Sequence, residues 1–271
     1  MKKALFLICI LSSLLGWSQK RTFFSRSEIG FTVGQTYYLG DLNPYQQFKQ
    51  ASLAGGLIYR YNFNTRLNFR ANYLYGKVAA ADSSSPYPIL VNRNLSFESR
   101  IHEVAAGLEF HFMPFQFGSS RYPATAYFLA QVGVFHMNPT TMYNGEQIAL
   151  QTIATEGQGT TIGTRKPYAL YQPCVPLGMG IKVSLGKMAT LNLDMAIRKT
   201  FTDYLDDVGA DLYVDPQVLE EEVSELSAAL SNRSLDGNPF GKRGTNSTKD
   251  WYVYTGATLT FRLGKGGGCF Y

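Results

Sequence analysis

Five aspartates crowd one stretch of this 271-residue chain: Asp203, Asp206, Asp207, Asp211 and Asp215 lie within TDYLDDVGADLYVD. Hard cations such as calcium want several carboxylate oxygens, so this is a possible acidic loop site. No glycine stands at the turn position of the helix-loop-helix calcium motif, and solvated or capping carboxylates are the plainer alternative. The three histidines, His102, His111 and His136, raise serine hydrolysis, where an imidazole must reach the nucleophile. No GxSxG elbow or HExxH zinc helix occurs, and no serine stands two residues beyond His136. The sequence therefore assigns no catalytic residue, no metal ligand set and no cofactor.

The elements that must position these groups show themselves by alternation. Eight segments have the period of two that marks a strand. They fall at about 27–38, 52–63, 66–76, 96–112, 124–137, 173–185, 190–202 and 250–263. The third is the clearest, with Leu67, Phe69, Ala71, Tyr73 and Tyr75 on one face and Arg66, Asn68, Arg70 and Asn72 on the other. The fourth sets Val104, Ala106, Leu108, Phe110 and Phe112 against Glu103, Ala105, Gly107, Glu109 and His111. The fifth is apolar on both faces, so its parity stays open. A soluble sandwich would be apolar inside and richly charged outside. Here one face is apolar and nearly uncharged, while the other holds Arg, Asn, Glu, Asp and Gly, as in a membrane barrel that is polar within.

Composition agrees. Aromatics make up 14% of the chain, with Tyr 18, Phe 18 and Trp 2, a richness suited to aromatic girdles at a membrane interface. Beyond the N-terminus no run approaches the roughly 20 apolar residues of a membrane helix, so any span must be made of strands. The opening MKKALFLICILSSLLGWSQ reads as a secretory signal over residues 1–18, cleaved before Gln19. Removing Lys2 and Lys3 leaves 23 basic against 20 acidic residues. A net +3 with scattered cations does not suggest a nucleic-acid partner.

The connections alternate long and short: 39–51, 77–95, 138–172 and 203–249 are long, whereas 62–65, 113–121 and 186–189 are short. Outer-membrane barrels have short periplasmic turns, longer external loops and both termini inside. The expectation is thus an all-β fold, an eight-stranded antiparallel transmembrane β-barrel over 19–263 with long external loops. It would sit in the cell outer membrane, against its lipid, with both termini periplasmic. Eight strands leave an interior that side chains fill, which excludes a general diffusion pore. The last loop should carry a short helix, with Asp215 as N-cap, Pro216 at the first position and Leu219, Val223, Leu226 and Leu230 in an apolar stripe.

Residues 264–271, GKGGGCFY, read as a flexible periplasmic tail. With Cys9 lost in the signal, Cys174 and Cys269 remain, an even count that by default suggests a disulfide. Topology opposes it. Cys174 opens a strand at the external end and Cys269 hangs below the other, across an apolar band about 25 Å tall, whereas a disulfide needs Cα atoms within about 7 Å.

Several short signatures carry a family resemblance: GDLNP (40–44), TDYLDDV (202–208), SNRS (231–234), KRGTNSTKDWY (242–252) and the terminal cysteine tail. Together they resemble the PorG-like outer-membrane proteins of the type IX secretion system in Bacteroidetes. The resemblance implies a non-catalytic barrel that meets a periplasmic ring of a PorK-like lipoprotein and a PorN-like partner, in a machine that exports proteins and, in gliding species, adhesins. It also gives Cys269 a role, as a tether from the tail to a ring subunit. The alternative is a small barrel that binds a lipid, another small ligand or calcium through its external loops.

Overall fold

Alternation builds a closed wall. The computed structural model describes residues 27–161, 166–238 and 241–263. The expected signal at 1–18 and the tail at 264–271, with Cys269, lie outside the described residues. Among the described residues ten strands follow one another: β1 (Ser27–Leu39), β2 (Ser52–Asn62), β3 (Leu67–Ala81), β4 (Ser96–His111), β5 (Ala124–His136), β6 (Pro139–Tyr143), β7 (Glu146–Ala149), β8 (Tyr171–Leu185), β9 (Ala189–Thr200) and β10 (Trp251–Leu263).

Eight of them close a barrel. β1 to β5 pair in sequence, then β5 pairs with β8, β8 with β9, β9 with β10 and β10 with β1, every pair antiparallel. The stagger can be followed residue by residue. From Tyr171 the row of partners runs through His136, His102, Tyr75, Gly55, Val33, Ala257 and Leu193, and returns to β8 at Ile181. The return is displaced by ten residues (181 minus 171), and such a shear goes with strongly tilted strands and an interior just wide enough for side chains.

The expected parities hold. Arg70 and Arg198 are buried inside, while Ile29, Phe31, Leu57, Leu108, Met179 and Leu193 are exposed on the wall. β5, left open by its sequence, turns Thr125, Tyr127, Leu129, Gln131 and Phe135 inward and Phe128, Val132 and Val134 outward.

Three differences are confined to the long-loop end. β3 runs on to Ala81 rather than stopping near residue 76, because its upper half stays paired with β4 through Ala81↔Ser96. The loop after β5 is not plain coil: β6 and β7 form a hairpin, and β6 pairs with the start of β4. Finally, the single helix expected after residue 215 is two, α3 (Pro216–Glu222) and α4 (Glu225–Ser231), while α1 (Pro88–Arg93) and α2 (Leu150–Ile153) lie in earlier loops. Asp215 caps α3 as expected, accepting from the Gln217 N–H at 2.9 Å. The break follows because Ser224 starts a second helix, accepting from the Ser227 N–H at 3.1 Å.

Candidate functional site

The inward residues of the strands fill the barrel with paired charge. Near the short-turn end, Glu28 accepts from Lys182 Nζ at 2.7 Å, Asn62 Nδ2 at 2.9 Å and Thr260 Oγ1 at 2.8 Å. Glu109 accepts from Arg60 Nε at 2.9 Å and lies 3.0 Å from His111 Nε2. Arg70 bridges Glu109 to Asp194, each at 3.5 Å. Higher up, Glu103 accepts from Arg198 Nε at 3.0 Å and from the Tyr252 hydroxyl at 2.7 Å. Four acids thus face four bases, Lys182, Arg60, Arg70 and Arg198. A buried charge is tolerated only when paired and hydrogen-bonded, so the alternation that places these groups also dictates their mutual distances.

The lumen is closed at both ends. At the short-turn end the β4–β5 connection sends in Phe115 and Phe117, both buried, and Lys182 Nζ sits 4.7 Å from the Phe115 ring centroid. At the other end the long loops fold over the barrel on a hydrophobic cluster that includes Tyr38, Leu42, Phe97, Phe135, Leu205, Val208, Leu230 and Tyr252.

Above that cluster the sequence signatures converge. Arg243 of KRGTNSTKDWY bonds the Glu156 carboxylate and donates to the Asp207 carbonyl at 3.0 Å. Glu156 in turn accepts from the Gly209 and Ala210 N–H groups at 3.0 and 2.9 Å. Arg93 clamps Asp82 through two bonds of 2.7 and 2.8 Å and donates to the Arg243 carbonyl at 2.6 Å and the Asp41 carbonyl at 3.0 Å. Arg233 of SNRS donates to Ser96 Oγ and Thr141 Oγ1, both at 3.1 Å. Close packing requires Gly244, since a side chain there would run into Val208 and the Asp41 carboxylate. Gly40 is held likewise against the Tyr38 hydroxyl and Asp250.

The five aspartates are brought to this cap but not to one point. Asp203 meets Lys249 Nζ at 3.2 Å. Asp206 accepts from the Tyr38 hydroxyl at 2.6 Å and the Val208 N–H at 2.9 Å. Asp207, in the left-handed region at φ 67°, accepts from the Tyr168 hydroxyl at 2.7 Å and from Thr155. Asp211 accepts from the Asn246 N–H at 2.9 Å, and Asp215 caps α3. Among the described residues no three His, Cys, Asp or Glu side chains come together in a metal-holding group. Burial pushes Asp207 up to about 6 against the pull of Arg243. Burial with the repulsion of neighbouring carboxylates, Asp250 and Asp41 on Asp206 and Asp203 and Asp41 on Asp250, raises both well above the usual carboxylate range. These carboxylates are internal fastenings.

The histidines part as their strand positions require. His111 lies in the lumen, 2.8 Å from Asn68 Nδ2. His102 and His136 pair on the outer wall among Tyr73, Tyr75 and Tyr171, with the Tyr73 hydroxyl 2.9 Å from His102 Nδ1. Cys174 is a free, buried thiol facing inward. Reading the sequence alone missed Glu156, Thr155, Tyr168 and Arg93, whose loops have no period to mark which side chains turn in.

The outer wall is the opposite of the lumen. Its exposed middle is aliphatic and aromatic, with Ile29, Phe31, Leu57, Val104, Leu108, Val132, Met179, Leu193 and Phe261, as suits a strand wall in contact with hydrocarbon. No helix among the described residues is long and apolar enough to cross a membrane.

The fold is a closed eight-stranded antiparallel β-barrel. It is similar to the solved structure of Ail, the attachment invasion locus protein of Yersinia pestis (10% identity, TM-score 0.42, covering 88% of this chain and 99% of that one). It is also similar to Neisserial surface protein A (8%, 0.41, 88% and 97%) and to the outer membrane protein OprG of Pseudomonas aeruginosa (9%, 0.41, 88% and 98%). A search of curated proteins finds no match. The domain of unknown function DUF6089 matches residues 2–213 of the 271, and the chain belongs to that family.

Proposed function

We propose that this protein is a non-catalytic outer-membrane component of a type IX protein secretion apparatus, joined on its periplasmic side to a ring of a PorK-like lipoprotein and a PorN-like partner. The observation that carries this reading is the double closure of the lumen. Ion pairs fill the middle, Phe115 and Phe117 stop one end, and the signature loops are consumed in a cap at the other. A barrel closed in this way is suited to anchoring and contact rather than to passage. The signatures of the family resemblance supply the cap's internal bonds, so in this chain they serve the closed form. Contact with periplasmic partners then falls to the short turns and the tail, where Cys269 is the tether.

The test is to tag the protein in its own outer membrane, solubilise it mildly without reductant and identify what co-purifies with wild type and with Cys269→Ser. Co-purification of a periplasmic lipoprotein and a second ring protein, weakened by the substitution, is the expected result. Recovery of the barrel alone in both preparations would overturn the assignment and favour a small barrel that binds a ligand through its external loops.

A further inference from the structure

The upper halves of β3 and β4 place two cations face to face on the outer wall. Lys77 and Arg100 are register partners, and like charges directly opposite on a sheet repel. One carboxylate answers them: Glu98, 2.9 Å from Lys77 Nζ. Arg100 is exposed and opens onto a small cleft of about 110 Å³ lined by Glu98, Asn138, Thr140 and Gln147. Next to it, the small side chains of Ala79, Ala81 and Ser96 leave a wider groove of about 390 Å³ that shares Glu98, Thr140 and Gln147 with the cleft.

The position of this pair names its partner. Two residues along each strand toward the short-turn end lies the row Tyr75, His102, His136 and Tyr171, an aromatic belt of the kind that marks the membrane interface. Below it the wall is apolar, through Val104, Leu108, Val132 and Met179. A guanidinium and an ammonium one step above the belt stand where lipid phosphates lie.

We propose that Arg100 in the cleft and Lys77 on the adjoining groove together seat the phosphate of an anionic membrane lipid, whose acyl chains run down the apolar wall beneath. This rests on the barrel spanning a membrane, and not on any secretion partner. Guanidinium groups suit bidentate phosphate contacts, and the groove over Ala79 and Ala81 gives room for the rest of the headgroup.

The test is native mass spectrometry of the full-length protein in a neutral detergent, with phosphatidylglycerol or phosphatidylcholine added. Wild type should hold phosphatidylglycerol under conditions that strip phosphatidylcholine, and K77Q/R100Q should lower the retained fraction by roughly tenfold. Lys199→Gln removes the cation beside Trp251 at the β9–β10 seam and should leave retention unchanged. Equal retention of both lipids, or an equal loss with Lys199→Gln, would overturn the site, as would displacement of the lipid by inorganic phosphate at the same concentration. If the protein fails to fractionate with membranes, the membrane reading itself fails, a result distinguishable from all of these.

Discussion

The Tyr38 hydroxyl lies 2.6 Å from Asp206 Oδ2, joining the end of β1 to a loop residue 168 positions further along the chain. The same oxygen is 2.6 Å from Asp250 Oδ1. The remaining carboxylate oxygens take the N–H groups of Val208 and Leu205 at 2.9 and 3.0 Å. A tyrosine has one hydroxyl proton, so two contacts this short require a second proton on one of the acids. Burial, with the repulsion of neighbouring carboxylates, raises both carboxyls in the same direction.

The sign of the pH dependence follows. An aspartate with a raised folded pKa favours the folded state at low pH, and this advantage is lost as pH climbs from the ordinary carboxylate range through the folded value. The cap should loosen on the alkaline side. Asp206→Asn keeps an acceptor for Val208 and offers an N–H to the Tyr38 oxygen, as the protonated acid would. Limited proteolysis of the external loops at graded pH should therefore find this variant closed where wild type begins to open. The same alkaline sensitivity in both proteins would sink the account.

Arg243 is the cap's central cation, buried against Glu156, Asp207 and the Ser231 carbonyl. Removing one member of a buried ion pair leaves the other uncompensated, at about 3–5 kcal/mol. Arg243→Met should expose the loops to protease at neutral pH and leave the barrel core resistant. Cleavage within β2 or β9 as early as in the loops would show that cap and barrel unfold together, against this prediction.

How far the sequence could be read depended on the local period. All eight barrel strands were legible as strands, and seven showed their faces because each crosses from a polar interior to an apolar exterior at every residue. The parity of β5 was not legible, because Tyr127, Leu129 and Phe135 face inward where the lumen meets its aromatic and hydrophobic closures. The β6–β7 hairpin did have a signal: Asn144 and Gly145 sit at φ 49° and 85°, the Asn-Gly turn of a tight hairpin. The cap was hidden for a different reason. Its bonds join residues such as Arg243 and Glu156, 87 apart, and only the closed barrel brings those loops together.

The filled lumen predicts that the protein reconstituted in a planar bilayer passes no steady ionic current. Arg60 is fully buried between Glu28 and Glu109, its Nε 2.9 Å from Glu109. Arg60→Ala should open space in the middle but leave Phe115 and Phe117 at one end and the cap at the other, so current should stay absent. Its cost should show in stability, at or below the lower end of about 3–5 kcal/mol, because Glu28 keeps Lys182 and Glu109 keeps Arg70. A stable conductance in wild type would refute the closed lumen outright.

The two faces of one strand provide the last test. On β9, Leu193 points to the wall and is exposed, while its neighbour Asn192 is buried and donates to the Thr258 carbonyl at 3.1 Å. An arginine on a lipid-facing position near the bilayer midplane costs about 2–4 kcal/mol, falling toward zero at the interfaces. Leu193→Arg should be destabilised by that amount when folding into lipid vesicles is followed in urea. Lys199→Leu, at the interfacial end of the same outward row, should change stability little. The contrast must come from depth in hydrocarbon, because both side chains stand on the same face of the same strand. Equal effects at the two positions would mean that the exposed apolar wall faces something other than a bilayer.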